Sequence, residues 1–222
     1  MGGAALGERL FNLILEARRD EALALLRAAE AESGGIAALK DLLEPVLSRI
    51  GERWSVDKIS LAVAYVAGKV AEDFIAGILP EAAPGRVAAD ARVAVLGNAE
   101  DDYHGLGRRI VAAFLRVAGW RVVDLGNDVL PEAFAEAAVA EGATVIGVSA
   151  MMLTNALNIR RVREELDRRG LSGRVGLAVG GAVFVMRPEL VAEVGGDGTV
   201  ATAMEAPELF ERLSAQRQAS AP

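Results

Sequence analysis

The feature that most narrows the fold is a change of hydrophobic period near residue 80. From Leu6 to Leu79 the apolar residues recur at helical spacing: Leu10, Leu13 and Ile14, then Leu23, Leu25 and Leu26, then Ile36, Leu39, Leu42, Leu43, Val46, Leu47 and Ile50. Steps of three and four place such residues on one face of a helix. Ser33-Gly34-Gly35 and Trp54-Ser55-Val56-Asp57 interrupt the pattern, so about four helices in a small bundle are expected over 1–80. Pro80 to Gly85 is rich in helix breakers and opens a linker expected over 81–91.

Over 92–219 short apolar runs alternate instead with amphipathic stretches. Strands are expected at Arg92–Leu96, Arg121–Leu125, Thr144–Val148, Arg174–Val179 and Gly198–Ala201. Helices are expected near Leu106–Val117, Pro131–Ala140, Ala156–Arg169, Pro188–Val194 and Ala206–Ala215. This alternation implies an α/β domain, a five-stranded parallel sheet covered on both faces, most simply flavodoxin-like (Rossmann-like) with strand order 2-1-3-4-5. In such a sheet a ligand sits beyond the carboxyl ends of the strands, where the order reverses between the first and third. The segments placed there are Gly97 to Gly105 and Ser149 to Met152, with Gly180-Gly181 ending strand four.

Composition excludes several function classes. The 222 residues carry a formal charge of −7, so no basic footprint exists for nucleic acid or an anionic membrane, and neither is an expected partner. There is no cysteine, which removes disulfides, thiolate metal ligands, cysteine nucleophiles and thioether-linked chromophores, and suits a cytoplasmic protein. The longest apolar run, Ile59 to Val70, is broken by Ser60, Gly68 and Lys69, short of a membrane span. The first six residues lack the basic region of a signal peptide and a myristoylation site, so no leader is expected.

The one histidine, His104, stands in Asp102-x-His104-x-x-Gly107. A carboxylate two residues before a loop histidine can accept the imidazole Nδ1 proton, leaving Nε2 free to ligate a metal or act as a base. Gly107 would let the backbone pass close to a bulky ligand where the helix starts. The same residues also describe a solvated loop histidine beside a local carboxylate. Rival uses of the fold lack their residues. Strand three ends at Ser149 where a phosphorelay receiver needs an acceptor Asp, and all three lysines, Lys40, Lys58 and Lys69, lie in the helical half. Gly97-Asn98-Ala99 stands where a nicotinamide domain needs Gly-x-Gly-x-x-Gly. Ser149 is not on the Gly-x-Ser-x-Gly elbow that an Asp102, His104, Ser149 hydrolase triad would need.

Spacing extends the motif: 41 residues separate Gly107 from Ser149, and 28 separate Met151 from Gly180. The arrangement resembles the cobalamin-binding domains of methionine synthase, methylmalonyl-CoA mutase, glutamate mutase and corrinoid methyl carriers. Those domains carry Asp-x-His-x-x-Gly, then Ser-x-Leu, then Gly-Gly, and often a stretch like Asp124-Leu125-Gly126. Met151 replaces the family's Leu, a change that conserves volume. The resemblance implies that His104 is the lower cobalt ligand, taking the place of the cofactor's dimethylbenzimidazole tail, with Asp102 behind it. The tail would extend into a slot between strands one and three, where Gly180, Gly181 and Ala182 supply small walls and Ser149 a hydrogen bond. Ser149 also suits the cap of the following helix. Tyr103, Gly105 and Leu106 would lie under the corrin.

The helical half is similar to the cap module of methionine synthase, of stand-alone corrinoid carriers and of light-sensing cobalamin repressors. In the light sensors a Trp is followed after nine residues by Glu-His; here nine residues after Trp54 lead to Ala64-Tyr65. The resemblance implies that Trp54 shields an adenosyl group and Tyr65 faces the upper ligand. Both also fit ordinary helix packing. Two functions follow. A regulatory module would read the light or alkylation state of adenosylcobalamin or methylcobalamin, for an effector and with room for a noncovalent bilin. A corrinoid methyl carrier would serve a partner methyltransferase. Trp54 and its neighbours place the sensor first; stand-alone architecture and the missing upper histidine favour the carrier. Neither is an enzyme alone, since a mutase needs a barrel for which this chain has no room. A homo-oligomer is compatible with both.

Overall fold

The first apolar stretch folds as α1 (Gly3–Leu15), α2 (Arg19–Ser33), a third helix and α5 (Leu61–Ile78) in the computed structural model, which describes residues 3–55, 58–78 and 91–218. The third helix is continuous over 35–55 but runs as α3 (Gly35–Ala38), a π turn (Leu39–Leu43) and α4 (Glu44–Ser55). Pro45 accounts for the π turn. Its ring lacks an N–H and would clash with the carbonyl four residues back, and the wider turn, in which Glu44 N–H bonds to Leu39 O, relieves that contact. Leu10, Phe11 and Ile14 of α1, Leu26 of α2, Leu43 of the π turn and Val70 and Phe74 of α5 are buried. The expected four-helix bundle is therefore present. It forms one compact unit, Met1–Ala83, and the remainder forms a second, Pro84–Pro222. The linker expected over 81–91 lies, except for Ala91, outside the described residues, and so does the Trp54 side chain.

The second unit runs β1 (Val93–Asn98), α6 (Leu106–Val117), β2 (Arg121–Asp124), α7 (Pro131–Glu141), β3 (Val145–Ser149), α8 (Leu153–Arg168), β4 (Gly176–Gly180), α9 (Ala182–Met186), α10 (Leu190–Glu193) and α11 (Ala206–Gln218). All pairings are parallel, in the order β2-β1-β3-β4. β1 is buried throughout and β3 and β4 in all but their last residue, while β2 is half-buried. That is the burial expected of central and edge strands in a sheet covered on both sides. One apolar layer, with Phe134, Ile159 and Phe184, covers one face; Leu115, Trp120, Phe210 and Leu213 cover the other. Gly147 is required by this second layer, since a Cβ there would meet the Phe210 ring at 2.8 Å.

The sheet has four strands, not five. The expected strand Gly198–Ala201 is reduced to one bridge, Ala178 to Gly198. Two backbone bonds form around that bridge, Asp197 N–H to Leu177 O and Val179 N–H to Gly198 O, but further on the N–H groups of Ala201 and Thr202 go to the Glu205 carboxylate at 3.1 and 3.2 Å rather than to a neighbouring strand. The Asp197 carboxylate accepts Leu177 N–H at 2.7 Å and pairs with Arg163 at 2.8 Å, which anchors the start of this short ladder. The helix expected over Pro188–Val194 shortens to four residues, and α9, unforeseen, starts directly after Gly181.

Candidate functional site

The order β2-β1-β3 places the reversal point between β1 and β3, and the segments after their carboxyl ends build the site. β1 passes into a loop whose first residue, Ala99, is held between neighbours: its N–H bonds to Ser149 O, and it bridges to Val129. The chain turns at Asp101 (φ 64°) and enters α6 at Leu106.

Asp102 is the hub of this loop. Its side chain has no exposure to solvent, yet four N–H donors reach its two oxygens. Oδ1 accepts from His104 N–H at 2.7 Å, His104 Nδ1 at 3.1 Å and Asn98 Nδ2 at 3.2 Å; Oδ2 accepts from Met151 N–H at 2.5 Å. A buried carboxylate is tolerated only with such compensation. An ionised carboxylate can only accept, so Nδ1 of His104 carries the ring proton and Nε2 presents its lone pair away from Asp102. The His104 side chain is 59% exposed. The arrangement is one oriented, accessible imidazole donor, suited to a metal whose other ligands come from elsewhere.

Beside the loop an apolar cavity of about 240 Å³ lies between the carboxyl ends of β1, β3 and β4 and helices α6 and α11. Ser149, Gly180, Gly181 and Ala182 line it with Gly107, Val148, Leu209 and Phe210. His104 and Asp102 are not among its walls; the two features meet where Gly107 and Arg108 begin the wall three residues after His104. A Cβ at Gly107 or Gly180 would enter open space. Gly181 differs: its φ is 109° and a Cβ would overlap the Ala150 carbonyl oxygen, so a backbone crossing requires glycine at this point of the cavity wall.

The structure thus gathers Asp102, Tyr103, His104, Gly105, Leu106, Gly107, Ser149, Met151, Gly180, Gly181 and Ala182 at one end of the sheet. Met151 contributes through its backbone N–H. Gly105 is buried, with Asn127 Oδ1 2.7 Å from where a Cβ would stand. The alternative role of Ser149 as a helix cap is overturned, because α8 starts after Met152 and has no side-chain cap. Tyr65, on α5 in the helical unit, has an exposed ring with Lys69 5.8 Å from its centroid.

Two groups of residues here were not foreseen. Arg108, only 5% exposed, donates through one terminal nitrogen to Asn98 Oδ1, Gly126 O and Asn127 Oδ1 at 2.5–2.7 Å. Its Nε lies 2.7 Å from Asp124 Oδ1, close enough to pair in charge though off the direction of a well-formed hydrogen bond. Burial pulls this guanidinium below the ordinary arginine range, and Asp124 opposes the shift. The second group is Asn127 and Asp128. Asp128 accepts from Asp101 N–H at 2.9 Å and from the Tyr103 hydroxyl at 2.7 Å. The only signal in the sequence was adjacency: Arg108 directly follows Gly107 of the motif, and Asn127 and Asp128 directly follow Asp124-Leu125-Gly126.

The family model described as B12 binding domain matches residues 92–213, and a second model of that description matches residues 6–76. The dimethylamine corrinoid protein of Methanosarcina barkeri is 31% identical over 79% of this chain and 82% of its own length. The solved structure of the Methanosarcina barkeri monomethylamine corrinoid protein is similar with a TM-score of 0.81 and 26% identity, covering 95% of this chain and 100% of that one. The methanol:cobalamin methyltransferase complex of the same organism shares the fold, with a TM-score of 0.52 at 24% identity over 95% of this chain and 80% of that one.

Proposed function

This chain belongs to the B12-binding-domain family of corrinoid proteins, and on that premise we propose that it is a methyl carrier, binding cobalamin with its tail extended and His104 below cobalt. The observation that carries the reading is the exposed His104 imidazole, fixed by a fully buried carboxylate at the reversal point of the sheet. The surrounding residues fit the cofactor: Gly107 and Gly180 leave space where side chains would stand, and the cavity next to them is mostly apolar, with Ser149 as a polar group, which suits a heterocyclic tail.

When bound, cobalamin supplies a cobalt ion that takes up a methyl group and gives it away. The chain's own residues bind and orient. His104 would hold the cobalt through Nε2, and Asp102 keeps the proton on Nδ1 and makes the ring a stronger donor. Ser149, with no capping duty, is free to hydrogen-bond the tail. Met151 N–H holds the Asp102 carboxylate from the β3 side, so loop and strand end act as one cradle.

The relatives support the carrier over the light or alkylation sensor that the Trp54 stretch placed first, and nothing among them supports a bilin. Relatives named for dimethylamine and monomethylamine support a methylated amine as the methyl donor, and the methanol:cobalamin methyltransferase complex supports a methyltransferase as the partner. Protein loaded with methylcobalamin should bind about one equivalent, show the spectrum of an imidazole-coordinated alkylcobalamin, and lose that spectrum in His104→Ala. Transfer of the methyl group from a methylamine through a cognate methyltransferase completes the test. A preference for adenosylcobalamin with light-dependent assembly, and no methyl exchange, would overturn the carrier in favour of the sensor.

A further inference from the structure

We propose that Asp128, outside the motif and on the segment after β2, is a positioning residue that sets the His104 loop; the inference rests on the reading of His104 as cobalt ligand. Four hydrogen bonds join the two segments. Asp128 Oδ1 accepts from Asp101 N–H at 2.9 Å and Oδ2 from the Tyr103 hydroxyl at 2.7 Å. Asp128 N–H donates to Asp102 O at 3.1 Å, and Asn127 Nδ2 to Tyr103 O at 3.3 Å. Every residue from 101 to 103, the approach to His104, is therefore held from this one side.

Backbone strain marks the same place. Asp101 and Asp128 have φ of 64° and 55°, two of the three non-glycine residues in the left-handed region among those described. For any residue with a Cβ this region is sterically unfavourable, Asp and Asn being the best tolerated there. The strain persists because each segment supplies what the other lacks: the Asp128 carboxylate satisfies the N–H that the turn at Asp101 leaves without a helical or sheet partner. Burial does not do this work, since Asp128 is exposed and the Tyr103 ring is 66% exposed. An exposed aromatic ring one residue before the cobalt ligand is held in place by its hydroxyl.

The alternative is that Asp128 merely suits its own turn, and glycine separates the two. Asp128→Gly relieves the left-handed strain and keeps the turn but removes the carboxylate. Asp128→Asn keeps an acceptor, and Tyr103→Phe keeps the ring but drops the hydroxyl bond. With methylcobalamin bound, Asp128→Gly and Tyr103→Phe should lower the ratio of imidazole-coordinated to uncoordinated cofactor, by about tenfold for glycine. Asp128→Asn should fall between them and wild type, and binding should stay near one equivalent. An Asp128→Gly spectrum identical to wild type would overturn the proposal while leaving His104 as ligand. A wild-type spectrum that His104→Ala leaves unchanged would instead remove the reading on which the proposal rests.

Discussion

One oxygen of Asp102 holds His104 twice, accepting its backbone N–H at 2.7 Å and its ring Nδ1 at 3.1 Å. The other oxygen takes Met151 N–H, 49 positions away in the chain. The carboxylate is thus a ligand-orienting group and a tie between two loops.

Asp102→Asn should therefore affect folding as well as the cofactor. An amide in place of the carboxylate turns one acceptor into a donor facing another N–H, and leaving a buried donor unsatisfied costs about 1–3 kcal/mol. Denaturant unfolding of the cofactor-free protein should show that loss, and cobalamin affinity should fall by about 10–100-fold. Undiminished stability would mean that the Met151 contact is dispensable.

The two adjacent glycines should behave oppositely. Gly180→Val projects into open space at the cavity, so the protein should fold normally and bind cobalamin poorly while retaining cobinamide, which lacks the tail. Gly181→Ala forces a Cβ onto the Ala150 carbonyl at a φ of 109° and should lower stability itself, by about 1–3 kcal/mol from the strained backbone alone. Calorimetry with both ligands and thermal unfolding of both variants check the pair.

Arg108→Ala should be among the more destabilising changes in the second unit. It strips a donor from three acceptors and leaves Asp124 without its partner. Breaking a buried pair of this kind costs about 3–5 kcal/mol, toward the lower end here because Asp124 is partly exposed. Arg108→Lys should recover only part of the loss, since an ammonium cannot span the same set. Equilibrium unfolding of the two variants gives the comparison.

The Tyr103–Asp128 bond carries a pH window. The Asp101 N–H, and then the Tyr103 hydroxyl, hold the Asp128 carboxyl below its usual range. The bond to Asp128, and then its charge, hold the Tyr103 phenol above its usual range. A lowered carboxylate contributes fully above its unfolded value of about 3.9 and fades as pH falls through the folded one; a raised phenol contributes fully below about 10 and fades as pH rises through its own. In cofactor-free Tyr65→Phe protein, the remaining phenol should titrate above about 10, and adding Asp128→Asn should bring it back toward that value. Absorbance of the phenolate reads both.

What was legible in the sequence is what near neighbours decide. Helical period in the first half, strand and helix alternation in the second, and the adjacency of Asp102 to His104 follow from residues a few positions apart, where periodicity and short-range hydrogen bonding operate, and the strand order from the fold class that this alternation implies. The exceptions are instructive. Pro45 sits inside a helix because a π turn absorbs it, and the fifth strand stops after Gly198, past which the Ala201 and Thr202 N–H groups bond to the Glu205 carboxylate. Only the tertiary structure decided that Asp102 also binds Met151, that Gly181 packs against the Ala150 carbonyl, that Arg108 is buried among Asn98, Gly126 and Asn127, and that Asp128 grips the loop before His104. Each joins segments that touch only after β1, β2 and β3 align, and a hydrogen bond over about 3 Å has no counterpart in the spacing of residues along the chain.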